Sequence, residues 1–163
     1  MAFKVRDMGL RAASALVLAP VALLAVWFGG PWILAVLLIA CVVLSMEWAK
    51  MSAPADWKAV AAAVALALCA TLLSQPNEAL SFSLVLLVFG AAAAGVFAKL
   101  RGQSGVDAAY GVLYLGWPAL LLIWLREGNT AVGFYWVTLA FEVAWASDIV
   151  ASVSYTHLTL RRV

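Results

Sequence analysis

The sequence predicts an all-α fold: a polytopic integral membrane helical bundle of about six transmembrane helices. Of the 163 residues, 67% are hydrophobic and only 11% are charged, with a mean hydropathy of +1.06. A soluble domain carries roughly 25% charged residues. The charged residues are separated by long uncharged runs. None of these runs shows the alternating strands of ~10 residues that a membrane barrel requires.

Turn residues divide the uncharged runs into spans. The run from 12 to 46 is far longer than the ~20 residues that one helix needs to cross the hydrocarbon core. Gly29, Gly30 and Pro31 break it, because glycine ends helices readily and proline suits the first turn of the next helix. Shorter uncharged runs follow along the rest of the chain. The predicted spans are 12–28, 31–46, 58–74, 79–98, 107–125 and 130–151.

Basic residues fall mainly on one side of this predicted topology. Arg126 is the single basic residue predicted on the opposite side. Cytoplasmic loops carry the excess of lysine and arginine, so the N-terminus and the end of span six are predicted to be cytoplasmic. The scattered charges are unlike a nucleic-acid-binding patch, and nucleic acid is not an expected partner. In the N-terminal segment and the loops, the basic residues on the predicted cytoplasmic side are Lys4, Arg6, Arg11, Lys50, Lys58, Lys99 and Arg101.

Two acidic residues lie inside span six, Glu142 and Asp148. An ionised group at mid-bilayer costs about 2.5–3.5 kcal/mol on insertion scales, so intramembrane acids indicate function by default. Asp148 follows Trp145 and Ser147 in a polar patch where an apolar run should continue, although a plain helix-end charge is the alternative. Glu142 lies ~9 Å away along the helix and ~120° around it, so the two acids are not a close pair. Glu47, at the end of span two, is a boundary charge or a functional acid.

The sequence lacks the motifs of several classes of functional site. Cys41 and Cys69 lie in apolar runs without CxxC spacing or a nearby histidine, which favours buried small hydrophobic side chains over a disulfide or a metal site. His157 is the single histidine. Phosphate-binding Gly-rich loops, zinc-protease motifs and nucleophile elbows are absent from the sequence.

Three segments resemble a known enzyme family. The segment 110–118 reads YGVLYLGWP, residues 124–127 read WLRE, and span six ends with Trp145, Ala146, Ser147 and Asp148. Glu47 and Trp48 close span two. In this order the chain resembles bacterial phosphatidate cytidylyltransferase, the CDP-diglyceride synthase family, over residues 1–151.

The resemblance implies a reaction and a site. CTP and phosphatidic acid would give CDP-diacylglycerol and pyrophosphate, in phospholipid biosynthesis at the bacterial inner membrane, with Mg²⁺ as the metal. Asp148 and Ser147 are the implied catalytic residues. Asp148 would face the nucleotide, the metal or the lipid headgroup, and Ser147 would be a hydroxyl donor beside it.

The C-terminal tail departs from that family. Ser152 stands where the family has tyrosine, and 152–163 matches none of its motifs. We therefore predict a transmembrane domain over 1–151, the N-terminal part of a larger enzyme, and an atypical, artefactual tail over 152–163. The resemblance implies that most magnesium-binding and phosphate-binding residues lie in the missing part, so the 163-residue chain is expected to be inactive. Measurable CDP-diacylglycerol synthesis by that chain would contradict this expectation.

Two other function classes stay open on the sequence alone. One is a transporter or channel fragment that uses Glu142 and Asp148 as an ion relay. The other is a membrane scaffold without chemistry. Small residues such as Ala91 and Gly95, four apart on one helix face, allow close helix packing, and a homo-oligomer is compatible with the sequence.

Overall fold

The computed structural model describes residues 19–75, 79–127 and 130–160, and every regular element in them is an α-helix. The basic N-terminal residues, the first part of span one and two predicted turns (76–77 and 128–129) lie outside the described residues. The helices are α1 (Ala19–Phe28), α2 (Gly30–Ser52), α3 (Trp57–Ser74), α4 (Leu80–Leu100), α5 (Gly105–Glu127) and α6 (Thr130–Leu160).

Four of these helices, α2 to α5, are long and apolar enough to cross a membrane. The described part of α1 is apolar but shorter, and α6 is not among the four. Large hydrophobic side chains such as Leu66, Phe89 and Leu100 are exposed on the outside of the bundle, where lipid would surround them. The predicted fold class, an all-α multi-pass membrane bundle, is confirmed.

The core lies among α3, α4 and α5, where leucine side chains fill the centre. Leu68 and Leu72 of α3, Leu87 of α4 and Leu120 of α5 are completely buried. Small residues let the helices approach one another at the edges of this core. A Cβ on Gly95 of α4 would lie 2.9 Å from a backbone oxygen of α5, so the predicted close packing through this glycine is confirmed.

The predicted break between spans one and two is confirmed at Gly29. Its φ is +64°, a left-handed conformation that favours glycine, and it separates α1 from α2. Pro31 follows in the first turn of α2, where its missing N–H costs no helical hydrogen bond.

Two helices continue past the ends of the predicted spans. Span two was predicted to end at 46, but α2 continues to Ser52 and includes Glu47 and Lys50. Span six was predicted to end at 151, but α6 continues to Leu160 and crosses the predicted domain boundary. A charged residue marks the edge of the hydrocarbon region, whereas a helix can extend beyond it with long side chains reaching toward water.

Candidate functional site

The sequence-predicted site residues lie on the half of α6 that leaves the bundle. Earlier in this helix, Val137 is completely buried, and Phe134 and Phe141 pack against the cluster formed with α1 and α2. From Glu142 to Ala151, every residue whose side chain the structure describes is exposed. This half of α6 therefore has no packing partner among the described residues.

Asp148 and Ser147 are both exposed there. The Ser147 hydroxyl donates a hydrogen bond to the backbone oxygen of Ala144, at 2.7 Å, which returns it to its own helix. Within the described part of the chain, no side chain hydrogen-bonds or ion-pairs with Asp148 or with Glu142. The structure thus leaves both acids open to a group that the described residues do not supply.

The described residues do not fit a magnesium site. They contain no group of three or more aspartate, glutamate, histidine or cysteine side chains that could hold a metal ion. Magnesium needs near-octahedral oxygen ligands at about 2.1 Å. Asp148 and Glu142, ~9 Å apart along one helix, cannot bind the same ion.

Two loops meet at one end of the bundle, which we call the basic end (Lys50, Lys58, Lys99 and Arg101). Arg101 Nε donates to Asp56 Oδ2 at 2.7 Å, which joins the α4–α5 loop to the α2–α3 loop. The hydrogen bond and the charge of Asp56 raise the pKa of Arg101 above its ordinary value, so this guanidinium is always charged. Lys50 Nζ lies 2.6 Å from Glu47 Oε1 one turn away on α2. Of the basic residues predicted to be cytoplasmic, the four that the structure describes thus share one end of the bundle.

An aromatic cluster of Trp48, Tyr110 and Tyr114 joins two of the segments that carried the family resemblance. Trp48 Nε1 donates to the backbone oxygen of Asp107 at 2.9 Å. Its ring centroid lies 5.8 Å from each tyrosine ring, and the two tyrosines stack at 5.7 Å. Gly111 leaves the space that the indole occupies, because a Cβ there would collide with Trp48. Both segments were recognised in the sequence, but the sequence alone does not show that they are in contact.

Arg126 forms a second feature that sequence reasoning missed, at the opposite end of the bundle. It was predicted as a loop residue, but it lies in the last turn of α5 and is only 8% exposed. Its Nε and one terminal nitrogen donate to the backbone oxygens of Val26 and Trp27, at 2.7 and 3.1 Å. These oxygens belong to the last turn of α1, where helical carbonyls lack intrahelical partners. The sequence did contain one signal for this contact. The break at Gly29 and Gly30 ends α1, so the last carbonyl groups of that helix need a hydrogen-bond donor from elsewhere.

The remaining predicted residues have plain environments. Cys41 is buried, as predicted, whereas Cys69 is only partly buried, and both are free thiols. Three tryptophans outside the predicted site, Trp27, Trp32 and Trp136, are more than half exposed, and tryptophan is enriched at membrane interfaces.

Fold and site together define a multi-pass helical membrane protein with two acids on the exposed second half of α6, for which the described residues supply no partner. Residues 9–155 match the family model described as the cytidylyltransferase family. This match covers most of the chain, so the protein belongs to the cytidylyltransferase family and is a CTP-using nucleotidyltransferase. Comparison with curated proteins and with solved structures gives no significant match. The family resemblance predicted from the sequence is therefore confirmed.

Proposed function

We propose that the protein acts in the transfer of a cytidylyl group from CTP to phosphatidate, which gives CDP-diacylglycerol and pyrophosphate. The observation that carries this proposal is the cytidylyltransferase match over residues 9–155, which includes Ser147 and Asp148. In the reaction, a phosphate oxygen of the lipid attacks the α-phosphorus of CTP. A new P–O bond forms as the bond between the α-phosphorus and its bridging oxygen to the β-phosphorus breaks, and pyrophosphate leaves.

The bundle itself supports a lipid acceptor. Four of the described helices can cross a membrane, and exposed large hydrophobic side chains cover the outside. A nucleotidyltransferase for a water-soluble acceptor would gain nothing from this arrangement. For an acceptor that never leaves the bilayer, membrane helices hold the reacting phosphate near the same depth as the catalytic side chains, which is the geometric contribution that positioning makes to catalysis.

The exposed end of α6 supports a role for Asp148 and Ser147 in holding the substrates. A straight α6 carries Asp148 about 27 Å from Thr130, and α5 is about 33 Å long. The first half of α6 packs beside α1, α2 and α5. Because α6 begins at the end of the bundle opposite the basic end, its later residues extend toward the basic end. We propose that Asp148 faces the nucleotide or the lipid headgroup there, with the Ser147 hydroxyl as a donor beside it.

The proposed location is a bacterial cytoplasmic membrane, with the N-terminus and the basic end on the cytoplasmic side. Lys50, Lys58, Lys99 and Arg101 support this orientation through the bias of basic residues toward cytoplasmic loops. CTP is a cytosolic nucleotide, and a site near the basic end would meet it directly.

The test measures transfer of label from CTP into lipid by membranes that contain the product of the gene encoding this chain. Cytidine-labelled CTP should yield an organic-soluble labelled product when phosphatidate is supplied, and γ-labelled CTP should release labelled pyrophosphate in equal amount. Diacylglycerol, which lacks the phosphate, should give no product. Transfer to a water-soluble phosphate ester with phosphatidate inactive would refute the proposed acceptor.

Variants of two exposed aspartates separate a site role from a general charge effect. Asp148→Asn should lower the rate by about 100-fold or more, as removal of a positioned catalytic group does, with unchanged membrane insertion. Asp107→Asn is the matched control, because Asp107 is exposed in the first turn of α5 and the structure uses its backbone oxygen rather than its carboxylate in binding Trp48. Wild-type turnover in Asp148→Asn would remove the assignment.

The transporter alternative receives no support from the structure. An ion relay needs acids that face a bundle interior or a wet cavity. Glu142 and Asp148 are exposed on the half of α6 that packs against none of the described residues.

A further inference from the structure

An apolar groove runs along the outside of the bundle between α2 and α3. It has a volume of about 300 Å³. The α2 side is formed by Val42 and Met46, one turn apart. The α3 side is formed by Trp57, Lys58 and a strip of small residues, Ala61, Ala62 and Ala65.

Two lysine ammonium groups lie at the basic end of this groove, that of Lys50 on α2 and that of Lys58 on α3. Lys50 follows Met46 by one turn on α2, and its Nζ lies 5.4 Å from the centroid of the Trp57 ring. Lys58 lines the groove, and its Nζ lies 5.8 Å from the same ring. Both distances are within the ~6 Å of a cation–π contact. The Trp57 indole therefore contacts both lysine ammonium groups at the open end of the groove, which we call its mouth. From there the groove leads into the hydrocarbon region.

The first turn of α3 adds to the positive character of this mouth. Asp56 precedes Trp57 but makes no side-chain cap to the helix, because its carboxylate is bound by Arg101. The first amide N–H groups of α3 are therefore uncapped by Asp56, and the partial positive charge of a helix N-terminus remains at the mouth.

We propose that this groove is a binding site for one phosphatidate molecule, with its phosphomonoester between Lys50 and Lys58 and one acyl chain along Ala61 and Ala65. A phosphomonoester carries about −1.5 to −2 charges at pH 7, which suits two ammonium groups better than the single charge of a phosphodiester headgroup. Basic pockets between transmembrane helices are known to bind anionic headgroups.

The length of the groove fits an acyl chain within one leaflet. From Trp57 to Ala65 the α3 side extends about 12 Å along the helix, and one leaflet of a ~30 Å hydrocarbon core is about 15 Å thick. The small side chains of Ala61, Ala62 and Ala65 leave the space that the chain would fill.

Two acids of the described residues lie near this headgroup position, Asp56, which Arg101 binds, and Glu47, which is ion-paired with Lys50. Lys50 has three N–H donors, and Glu47 takes one of them, at 2.6 Å. The other two donors can reach a phosphate. Lys58 has no ion pair with any acid of the described chain, so it is the stronger partner.

The inference rests on the proposed function for its choice of lipid, but its test contains no CTP. The purified chain is placed in nanodiscs of phosphatidylcholine with either phosphatidate or phosphatidylglycerol as a minor lipid, and the anionic lipid bound to each chain is counted by native mass spectrometry. We expect one tightly bound phosphatidate and weaker binding of phosphatidylglycerol. Equal binding of the two lipids would show that the site does not prefer a phosphomonoester headgroup and would overturn the proposal.

Two pairs of matched variants locate the site. Lys58→Gln should weaken phosphatidate binding about fivefold, since a lysine near an anionic headgroup contributes about 1 kcal/mol. Lys99→Gln removes one charge from the same end of the bundle but outside the groove and should leave binding within about twofold of wild type. Equal weakening by both would show a diffuse surface charge instead of a site and would overturn the proposal.

The second pair tests the acyl-chain position. Ala65→Leu fills the α2–α3 groove, whereas Ala63→Leu fills a separate groove between α3 and α4. Only Ala65→Leu should reduce bound phosphatidate. A wild-type dimer without bound lipid, dissociated by Ala65→Leu, would show that a second copy occupies the groove and would overturn the proposal. CDP-diacylglycerol synthesis is measured separately, so a failure of the proposed function would not be mistaken for a failure of this site.

Discussion

Replacing Arg126 should release the end of α1 from the bundle. The guanidinium lies between α5 and α1, where its Nε and a terminal nitrogen bind the backbone oxygens of Val26 and Trp27. Arg126→Met keeps the length and the apolar packing of the stem but removes every donor. The two carbonyl groups would then have no partner from this side chain.

The expected cost follows from these two hydrogen bonds. A hydrogen bond to a charged group contributes about 1.5–3 kcal/mol. Because Arg126 is near a helix end, water can reach the freed carbonyls in part, and we take the lower value for each bond. The sum is about 3 kcal/mol, which corresponds to roughly a 100-fold increase in the population of undocked α1.

Thiol accessibility measures this population. In a background without the native cysteines, Val26→Cys places a thiol at a position that is only 2% exposed, and the rate of maleimide labelling follows the undocked fraction. Arg126→Met should raise the rate by roughly 100-fold, and Arg126→Lys should give an intermediate rate because a lysine lacks the planar fork. Arg101→Met is the control, since this arginine is exposed and binds Asp56 rather than α1. Equal labelling in Arg126→Met and Arg101→Met would refute the reasoning.

Two further predictions concern glycines. Gly29→Ala should lower the thermal stability of the protein in detergent more than Gly30→Ala does. Both glycines have a positive φ, but only a Cβ on Gly29 would meet Arg126, at 2.7 Å. Equal losses of stability would show that backbone strain alone matters. Gly111→Ala should cost about 1–3 kcal/mol by overpacking against Trp48, and Trp48→Phe should recover part of that loss in the double variant. Additive losses in that pair would contradict the contact.

The sequence predicted the fold class well because lipid imposes one rule on every span. Backbone groups in hydrocarbon must be bonded within the segment, so an uncharged run of sufficient length can be read directly as a helix. Helix ends were predicted less well. Glu47 was taken as the end of span two and Lys50 as a loop residue, but both lie within α2, because the hydrogen-bonded helix continues where the hydrocarbon stops.

The candidate site was only partly predictable for a different reason. Asp148 could be singled out because a charge inside an apolar run is costly wherever it occurs. The contact of Trp48 with Gly111 and the binding of Arg126 to α1 depend on which helices are neighbours, and apolar helices carry little sequence information about their neighbours. The lysines beside Trp57 were likewise read as topology signals, although the structure also makes them the mouth of a groove.

The positions of the two proposed sites constrain the path of a lipid substrate. The groove lies between α2 and α3 and is lined by no residue of α6, whereas Asp148 lies on the exposed second half of α6. The two proposed sites are therefore on different helices. We expect the groove to hold phosphatidate before the lipid reaches α6. Lys58→Gln should then raise the KM for phosphatidate and leave kcat unchanged, whereas Asp148→Asn should lower kcat; a fall in kcat in Lys58→Gln would place Lys58 at the reacting phosphate instead.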